Sequence, residues 1–445
     1  KLITEKIPYF LLSLLFGILG VFIIYRVGLQ GNEFLKSNQD MSLAERVLYG
    51  LYSFSGYILK FFIPISQSIM YPYPVMTGWI RTWVLFLNPA LIMAIVVFTA
   101  WSARKTRAVA FGMLFFLVNI FFLLQFFAVG NTFFADRYTY IPYFGLIFIL
   151  LWFAEKIVRK NAIRKMWVNI VLSVFAVICM VLTFSRCAVW KDGVSLWSNV
   201  ISQYPGRFME PYANRGVSYF LKHDSENAIR DYTAALSIDP NSAPVYADRA
   251  MAYGFTGQQE KAIEDFSKSI GINPKNAKVI YNRGVAYGNA NQSDMAILDF
   301  RRVINLDSAY VSAYVGLCMM LIEQRKFDTC SIMAEKGLKI DKYRPELYAL
   351  LGNCELEQND PDKAISTFQH CLRIDNTSID AWLGLAAAFM IRQDDAGAAQ
   401  NLALAREVAQ QQNIRIDNID DITGAGITLL DMKRTAIQKL LAKNR

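Results

Sequence analysis

Three short segments of the sequence, PYANRG at residues 211–216, VYADRA at 245–250 and VIYNRG at 279–284, follow one another at a spacing of 34 residues. The spacing continues to residue 412, because a large apolar residue returns at Tyr212, Tyr246, Ile280, Tyr314, Tyr348 and Trp382. In every copy the positions four and sixteen residues further on hold Gly, Ala or Cys. Small side chains at fixed places allow two helices to approach closely, so the pattern predicts an all-α array of helix pairs.

This pattern resembles the tetratricopeptide repeat over residues 209–412, as six units of 34 residues. The resemblance implies an α-solenoid in which the first helix of each unit lines a concave face, where a protein or peptide partner binds. Residues 191–208 are predicted to form a connecting helix. Residues 413–445 lose the period and are predicted to cap the exposed face of the last helix pair.

Polar residues occupy one register of the first three units, two positions after the large residue: Asn214, Asp248 and Asn282. In some tetratricopeptide proteins an Asn at this place belongs to a ladder that holds the backbone of an extended peptide. The resemblance implies that role here, because an amide side chain both donates and accepts hydrogen bonds. The alternative is that these side chains cap turns or bond within the array. In the later units the register holds Gly316, Leu350 and Gly384.

The first 190 residues are predicted to form a polytopic transmembrane helical bundle. The chain of 445 residues is 54% hydrophobic with a mean hydropathy of +0.25, and the apolar residues concentrate before Lys191. About 20 uncharged residues span a bilayer core, and five such segments are present: Ile7–Tyr25, Trp83–Trp101, Ala108–Gly130, Tyr138–Ala154 and Met166–Ser185. The amphipathic stretch 43–63 is predicted to lie in the membrane interface, and its alternative is to dip into the bilayer.

Charge distribution orients this bundle. Lys and Arg are concentrated between the second and third and between the fourth and fifth predicted crossings, which places those loops in the cytoplasm. Five crossings then carry the repeats to the other side, so we expect a multi-pass bacterial inner-membrane protein with a periplasmic repeat domain that contacts membrane lipids. The net charge is +9, but the sequence has no motif of interleaved aromatic and basic residues, so it does not indicate nucleic-acid binding. The Cys and His spacing predicts no metal site.

The membrane half carries a second resemblance. The octet ADRYTYIP at residues 135–142, EKIP at 5–8 and the stretches 64–74 and 190–197 resemble polytopic proteins that join tetratricopeptide repeats to a glycosyltransferase of the C-type membrane fold. The resemblance implies a polyprenyl-phosphate sugar donor and a protein acceptor. It also implies a catalytic acidic residue in a first outer loop that this sequence does not contain. Because the chain begins at Lys1 without a Met, we expect it to be the later part of a longer protein.

Arg137, with Asp136 and Tyr138, is the candidate for binding a lipid phosphate. Transfer of a sugar from a lipid phosphate requires a cation at the departing group, and a guanidinium grips phosphate with two hydrogen bonds. Alternatively, Asp136 and Arg137 pin the loop and Tyr138 is an interfacial anchor. No catalytic residue is assigned. Two functions are therefore open, a glycosyltransferase-like protein whose solenoid presents an acceptor, and a non-enzymatic membrane-anchored scaffold that recruits envelope or periplasmic proteins.

Overall fold

The computed structural model describes residues 43–64, 67–72, 80, 83–121, 124, 139–158, 162–424, 427 and 430–443. Regular structure within these ranges is helical throughout. The chain divides into two compact units, one within Lys1–His223 and Thr233–Pro240 and the other within Asp224–Tyr232 and Asn241–Arg445. Each unit is described by itself.

The first unit contains seven helices among its described residues, and a π-helical turn at Trp83–Leu87 leads into the second of them. They are α1 (Leu43–Phe62), α2 (Asn88–Ala103), α3 (Arg107–Ile120), α4 (Tyr143–Val158), α5 (Ala162–Val189), α6 (Gly193–Gln203) and α7 (Glu210–Leu221).

Helices α1, α3 and α4 share a small buried core. The Phe54 ring of α1 lies 5.5 Å from the Phe116 ring of α3, and the Tyr143 hydroxyl of α4 donates a 2.8 Å hydrogen bond to the Tyr57 carbonyl. Helices α3 and α4 meet backbone to backbone, since a Cβ on Gly112 would lie 2.6 Å from the Gly145 carbonyl oxygen. The stretch predicted to lie in the membrane interface thus forms a helix with one face packed into this unit.

Two helices of the first unit have the length and composition of a membrane span, Trp83–Ala103 with 21 residues and Ile163–Val189 with 27. Their most apolar stretches are almost entirely exposed. Helix α3 is apolar but has 14 residues, and α4 has 16. The predicted crossing Ile7–Tyr25 lies outside the described residues. The described part of the chain thus contains two helices with the length and composition of a span, and a bundle of five crossings stays a prediction.

The second unit is an array of helix pairs, followed by two further helices. The array consists of α8 (Ser225–Ile238), α9 (Ala243–Phe255), α10 (Gln259–Ile272), α11 (Ala277–Asn289), α12 (Ser293–Leu306), α13 (Val311–Glu323), α14 (Phe327–Ile340), α15 (Pro345–Glu357), α16 (Pro361–Ile374), α17 (Ile379–Ile391) and α18 (Asp395–Gln411). The last two are α19 (Ile419–Gly424) and α20 (Asp431–Lys443). The α8 helix crosses the division between the two units.

At two places in the array, an aromatic ring from a second helix packs between a Gly of its own helix pair and a Gly of the next pair. The buried Phe300 ring of α12 lies between Gly284 of α11 and Gly316 of α13, where an added Cβ would be 2.9 Å and 2.7 Å from ring atoms. Phe368 occupies the same place between Gly352 and Gly384 two pairs later. The rings pack against bare backbone, at Gly284 and Gly352 of the small register within a repeat and at Gly316 and Gly384 of the next repeat.

A left-handed residue lies between the two helices of each pair. These residues are His223, Gly257, Asn291, Arg325, Asn359 and Gln393, with φ between 56° and 77°. Gly adopts this conformation without steric cost, whereas most other residues do not. The turn within every helix pair therefore has a residue in the same left-handed conformation, although only one of the six residues is Gly.

We expect Gly257→Ala to lower the stability of the solenoid by about 1 kcal/mol, because the new Cβ is strained at φ +77°. Gly271 is a matched control, since it lies in α10 with no atom within 4 Å of an added Cβ. Gly271→Ala should raise stability by up to about 1 kcal/mol through helix propensity. Denaturant midpoints of the purified chain measure both changes. Shifts of the same sign in the two variants would contradict this assignment of the turn.

Candidate peptide-binding groove

Two neighbouring registers of the first helices in the second unit hold a mixture of polar and apolar residues. One register holds Asp248, Asn282, Gly316, Leu350 and Gly384, and the other, three residues further on, holds Met251, Val285, Met319, Asn353 and Ala387. Residues three apart lie on the same face of a helix. We call the surface formed by these two registers the groove.

Asp248 is the most unusual residue of the groove. Its carboxylate is partly buried on α9, and among the described residues none donates a hydrogen bond to it. Burial raises the pKa of Asp248 to about 6, and Lys278 of α11 acts in the opposite direction. Partial burial disfavours the charged form of this carboxylate, so the position favours a ligand that brings a cation or an N–H group.

Asn282 lies in the next repeat, on α11, and is also partly buried. Within the described part of the chain its amide makes no hydrogen bond. The structure therefore brings Asp248 and Asn282 to the same register of neighbouring first helices with their polar atoms unused. Asn214 belongs to α7 of the first unit, where it is exposed. The peptide-binding role of these three residues stays a prediction.

Ion pairs join the first helix to the second helix in two of the helix pairs. Arg249 makes two hydrogen bonds to Asp265, of 2.6 Å and 2.9 Å, and Arg283 makes two of 2.8 Å to Asp299. Both aspartates are buried. In the later pairs buried leucines replace the arginine: Leu317, Leu351 and Leu385. The paired arginines are structural, because their donors are used within the array.

The far end of the groove is covered by α20, which rests mainly on the first helices α15 and α17. Lys433 of α20 is 1% exposed, and its ammonium group donates to Asp380 Oδ1 at 2.6 Å, to the Asp380 carbonyl at 3.1 Å and to Asn353 Oδ1 at 3.1 Å. The capping segment therefore lies on the groove side of the array, with a smaller contact to the last second helix α18.

Family models described as tetratricopeptide repeats match residues 210–242 and 277–310, residues 232–264 and residues 345–388. The matches to residues 210–242 and 277–310 each cover one helix pair, and the other two lie within the array and overlap neighbouring pairs. The later half of the chain is a tetratricopeptide-repeat solenoid. The prediction of an all-α array of such repeats is confirmed, and the fold is one that commonly mediates protein–protein interactions.

Solved structures with tetratricopeptide repeats are similar to this chain. A crystal structure of MamA protein is 24% identical, with a TM-score of 0.36 over 38% of this chain and 92% of that one. YrrB, described as a tetratricopeptide-repeat protein with an unusual peptide-binding site, is 18% identical with a TM-score of 0.38 over 42% and 95%. PilF of Pseudomonas aeruginosa is 19% identical with a TM-score of 0.39 over 46% and 97%. No curated protein matches the sequence.

The candidate lipid-phosphate site in the membrane half is not tested by the structure. Asp136, Arg137 and Tyr138 lie outside the described residues, so the lipid-phosphate site stays a prediction. Neither the family models nor the similar structures named above concern a glycosyltransferase. Among the residues that the structure describes, no group of three His, Cys, Asp or Glu side chains is placed to hold a metal ion.

Two features of the tetratricopeptide half escaped the sequence analysis. The ion pairs were visible as Arg and Asp sixteen residues apart, at Arg249 and Asp265 and again at Arg283 and Asp299. The site around Lys433 had a weaker signal, a lysine on the apolar side of an amphipathic helix. Its partners are 53 and 80 residues distant, so no local pattern connects them.

The raised pKa of Asp248 makes solenoid stability depend on pH. Because folding raises this pKa from 3.8 to about 6, the folded state binds the proton more tightly, and stability falls as pH rises through this window. We expect Asp248→Asn to stabilise the chain by about 1–3 kcal/mol at pH 7.5 and by almost nothing near pH 4. Glu407→Gln, at an exposed carboxylate of α18, is the control. A gain that does not depend on pH would contradict the assignment.

The ion pair between Arg283 and Asp299 offers a second test, for which the chain supplies its own control. Arg283→Leu alone leaves a buried carboxylate without a partner and should cost about 3–5 kcal/mol. The double variant Arg283→Leu with Asp299→Met copies the apolar pair Leu317 and Met333 found one repeat later, and should recover most of that loss. Denaturant unfolding measures both. If single and double variants are equally destabilised, the carboxylate is not the source of the cost.

Proposed function

We propose that this chain is a membrane-anchored tetratricopeptide-repeat adaptor whose groove binds a segment of another protein. The observation that carries the proposal is the Asp248 carboxylate, partly buried without a hydrogen-bond donor among the described residues, in the same groove as open apolar side chains. Val285 and Met319 are 38% and 50% exposed there. A protein segment with a cationic or N–H group and apolar side chains satisfies both requirements.

Membrane attachment is the second part of the proposal. Helices Trp83–Ala103 and Ile163–Val189 bear large exposed apolar side chains along their lengths, including Phe98, Val171 and Phe184. Contiguous apolar surface of this extent is unfavourable in water and favourable in lipid. We propose that these helices cross the bacterial inner membrane and that the repeats lie in the periplasm, as the charge distribution of the loops predicts. The sugar-transfer alternative rests on sequence resemblance alone.

Site-specific photo-crosslinking tests the groove against whichever protein occupies it in the cell. A photoreactive amino acid at Val285 of α11 should yield one discrete protein adduct in intact cells, because this side chain is exposed beside Asp248 and Asn282 in the groove registers. The matched control is Leu298 of α12 in the same repeat, which is 59% exposed but lies on the second helix. Adducts are detected by immunoblotting after denaturing electrophoresis.

Combining the Val285 probe with Asp248→Asn and Asn282→Ala should reduce the adduct at least threefold, since the charge of Asp248 and the amide of Asn282 are then removed. Absence of an adduct at Val285, or equal adducts at Val285 and Leu298, would overturn groove binding. An adduct that persists unchanged in the double variant would show that Asp248 and Asn282 do not contact the partner.

A further inference from the structure

The C-terminal helix α20 occupies the groove in the manner of a ligand. It is seated on the first helices α15 and α17, which belong to the fifth and sixth repeats. Asn353 and Ala387, in the register of Val285 and Met319, are 1% and 0% exposed. The same row of the groove is therefore closed in the last two repeats and open in the two before them.

The seat contains a built socket for an ammonium group. All three donors of Lys433 are used, on the Asp380 carboxylate, on the Asp380 carbonyl and on the Asn353 amide oxygen. The Phe368 ring centroid lies 5.9 Å from the same nitrogen. Burying an ammonium group is costly unless its partners are fixed in advance, so a pocket that satisfies it completely discriminates strongly for lysine.

The repeats themselves hold this socket in shape. Asn353 of α15 donates through Nδ2 to Asp380 Oδ2 at 3.1 Å, which turns its amide oxygen toward Lys433 and orients the carboxylate. The two residues come from neighbouring repeats, and Asn353 is itself buried. The acceptors are thus positioned by the solenoid and not by α20.

The apolar side of α20 completes the contact. Ala436, Ile437, Leu440 and Leu441 are buried in the core cluster of the last two repeats, three, four, seven and eight residues after Lys433. At the start of the helix, the Met432 N–H donates to Glu357 Oε1 at 2.7 Å, and Asp431 pairs with Arg325. The seat therefore selects an amphipathic helix with a lysine followed by apolar residues at these spacings.

We propose that this seat is a lysine-recognising site for an amphipathic helix, that α20 is its tethered occupant, and that a partner helix of the same pattern displaces α20. The inference rests on the proposed function and names the class of segment that the groove takes. Tethering gives α20 a high effective concentration, so that a free helix must bind tightly or in several places to compete. The open row at Val285 and Met319 supplies such additional contact, because it continues directly from the seat.

The experiment separates α20 from its tether after the protein has folded. A protease site is inserted between residues 424 and 431 of the full chain, which is purified in nanodiscs and cut. A fluorescent peptide with the sequence of residues 431–443 is then added. Fluorescence anisotropy should show binding to the cut chain, and binding to the uncut chain at least a hundredfold weaker.

Two peptide variants test recognition of the lysine. Lys433→Ala should weaken binding to the cut chain at least tenfold, because the partly buried Asp380 then loses its cation and Asn353 loses its donor. Lys439→Ala is the matched control, since Lys439 is exposed on the same helix, and it should bind like the parent peptide. Equal binding by the two variants would overturn the lysine socket.

Other outcomes also decide the matter. Retention of the cut helix against excess peptide, or loss of helical circular dichroism on cutting, would overturn displacement and make α20 a fixed part of the fold. If the uncut chain forms dimers that dissociate when peptide is added, the partner helix comes from a second copy of this chain and not from another protein. If exchange fails while the Val285 adduct remains, groove binding stands and only this inference falls. If the adduct fails, groove binding and this inference fall together, and exchange of the peptide then shows only that α20 can leave its seat.

Discussion

Contact between an aromatic ring and bare backbone is the constraint on which the solenoid depends. Phe300 and Phe368 each touch the first helices of two successive repeats at Gly positions, so one ring sets both the distance within a repeat and the distance to the next. A side chain at either Gly would push the ring out of contact. Gly316 and Gly384 also belong to one groove register, so that register is packed against a ring in these repeats, whereas Val285 and Met319 of the other register remain exposed.

The charged side chains of the second unit are of two kinds, buried ones that are paired within the fold and the partly buried Asp248. The carboxylate of Asp299 is matched by a bidentate arginine, and the ammonium group of Lys433 has three acceptors. Such pairs gain little net stability over apolar packing, as the leucines of the later repeats illustrate, but each is expensive to break. Asp248 differs because its carboxylate is desolvated without a described hydrogen-bond donor. We propose that a bound segment supplies the partner of this carboxylate.

The sequence predicted what depends on local periodicity and missed what depends on distant contacts. The registers of Tyr246 and Ala250 repeat regularly, and they predicted the helix pairs that the structure shows. The position of α20 was not predictable in this way. Its amphipathic pattern indicates a helix with one buried side, but the choice between the end of the array and the groove depends on how Lys433 meets Asp380, 53 residues earlier. An array-end cap would have left that lysine in water.

The seat of α20 also explains how one helix can be both stabilising and displaceable. Its buried apolar residues favour folding of the last repeats, whose first helices would otherwise expose Ala387 and the neighbouring core. The lysine adds specificity more than stability, because the desolvation of its charge offsets much of the attraction to Asp380. A competing helix with the same lysine meets the same offset and restores the same apolar contact. Displacement then replaces one set of contacts by an equivalent set. The free energy of displacement therefore depends on the tether of α20 and on the additional contacts that the competitor makes along the open groove.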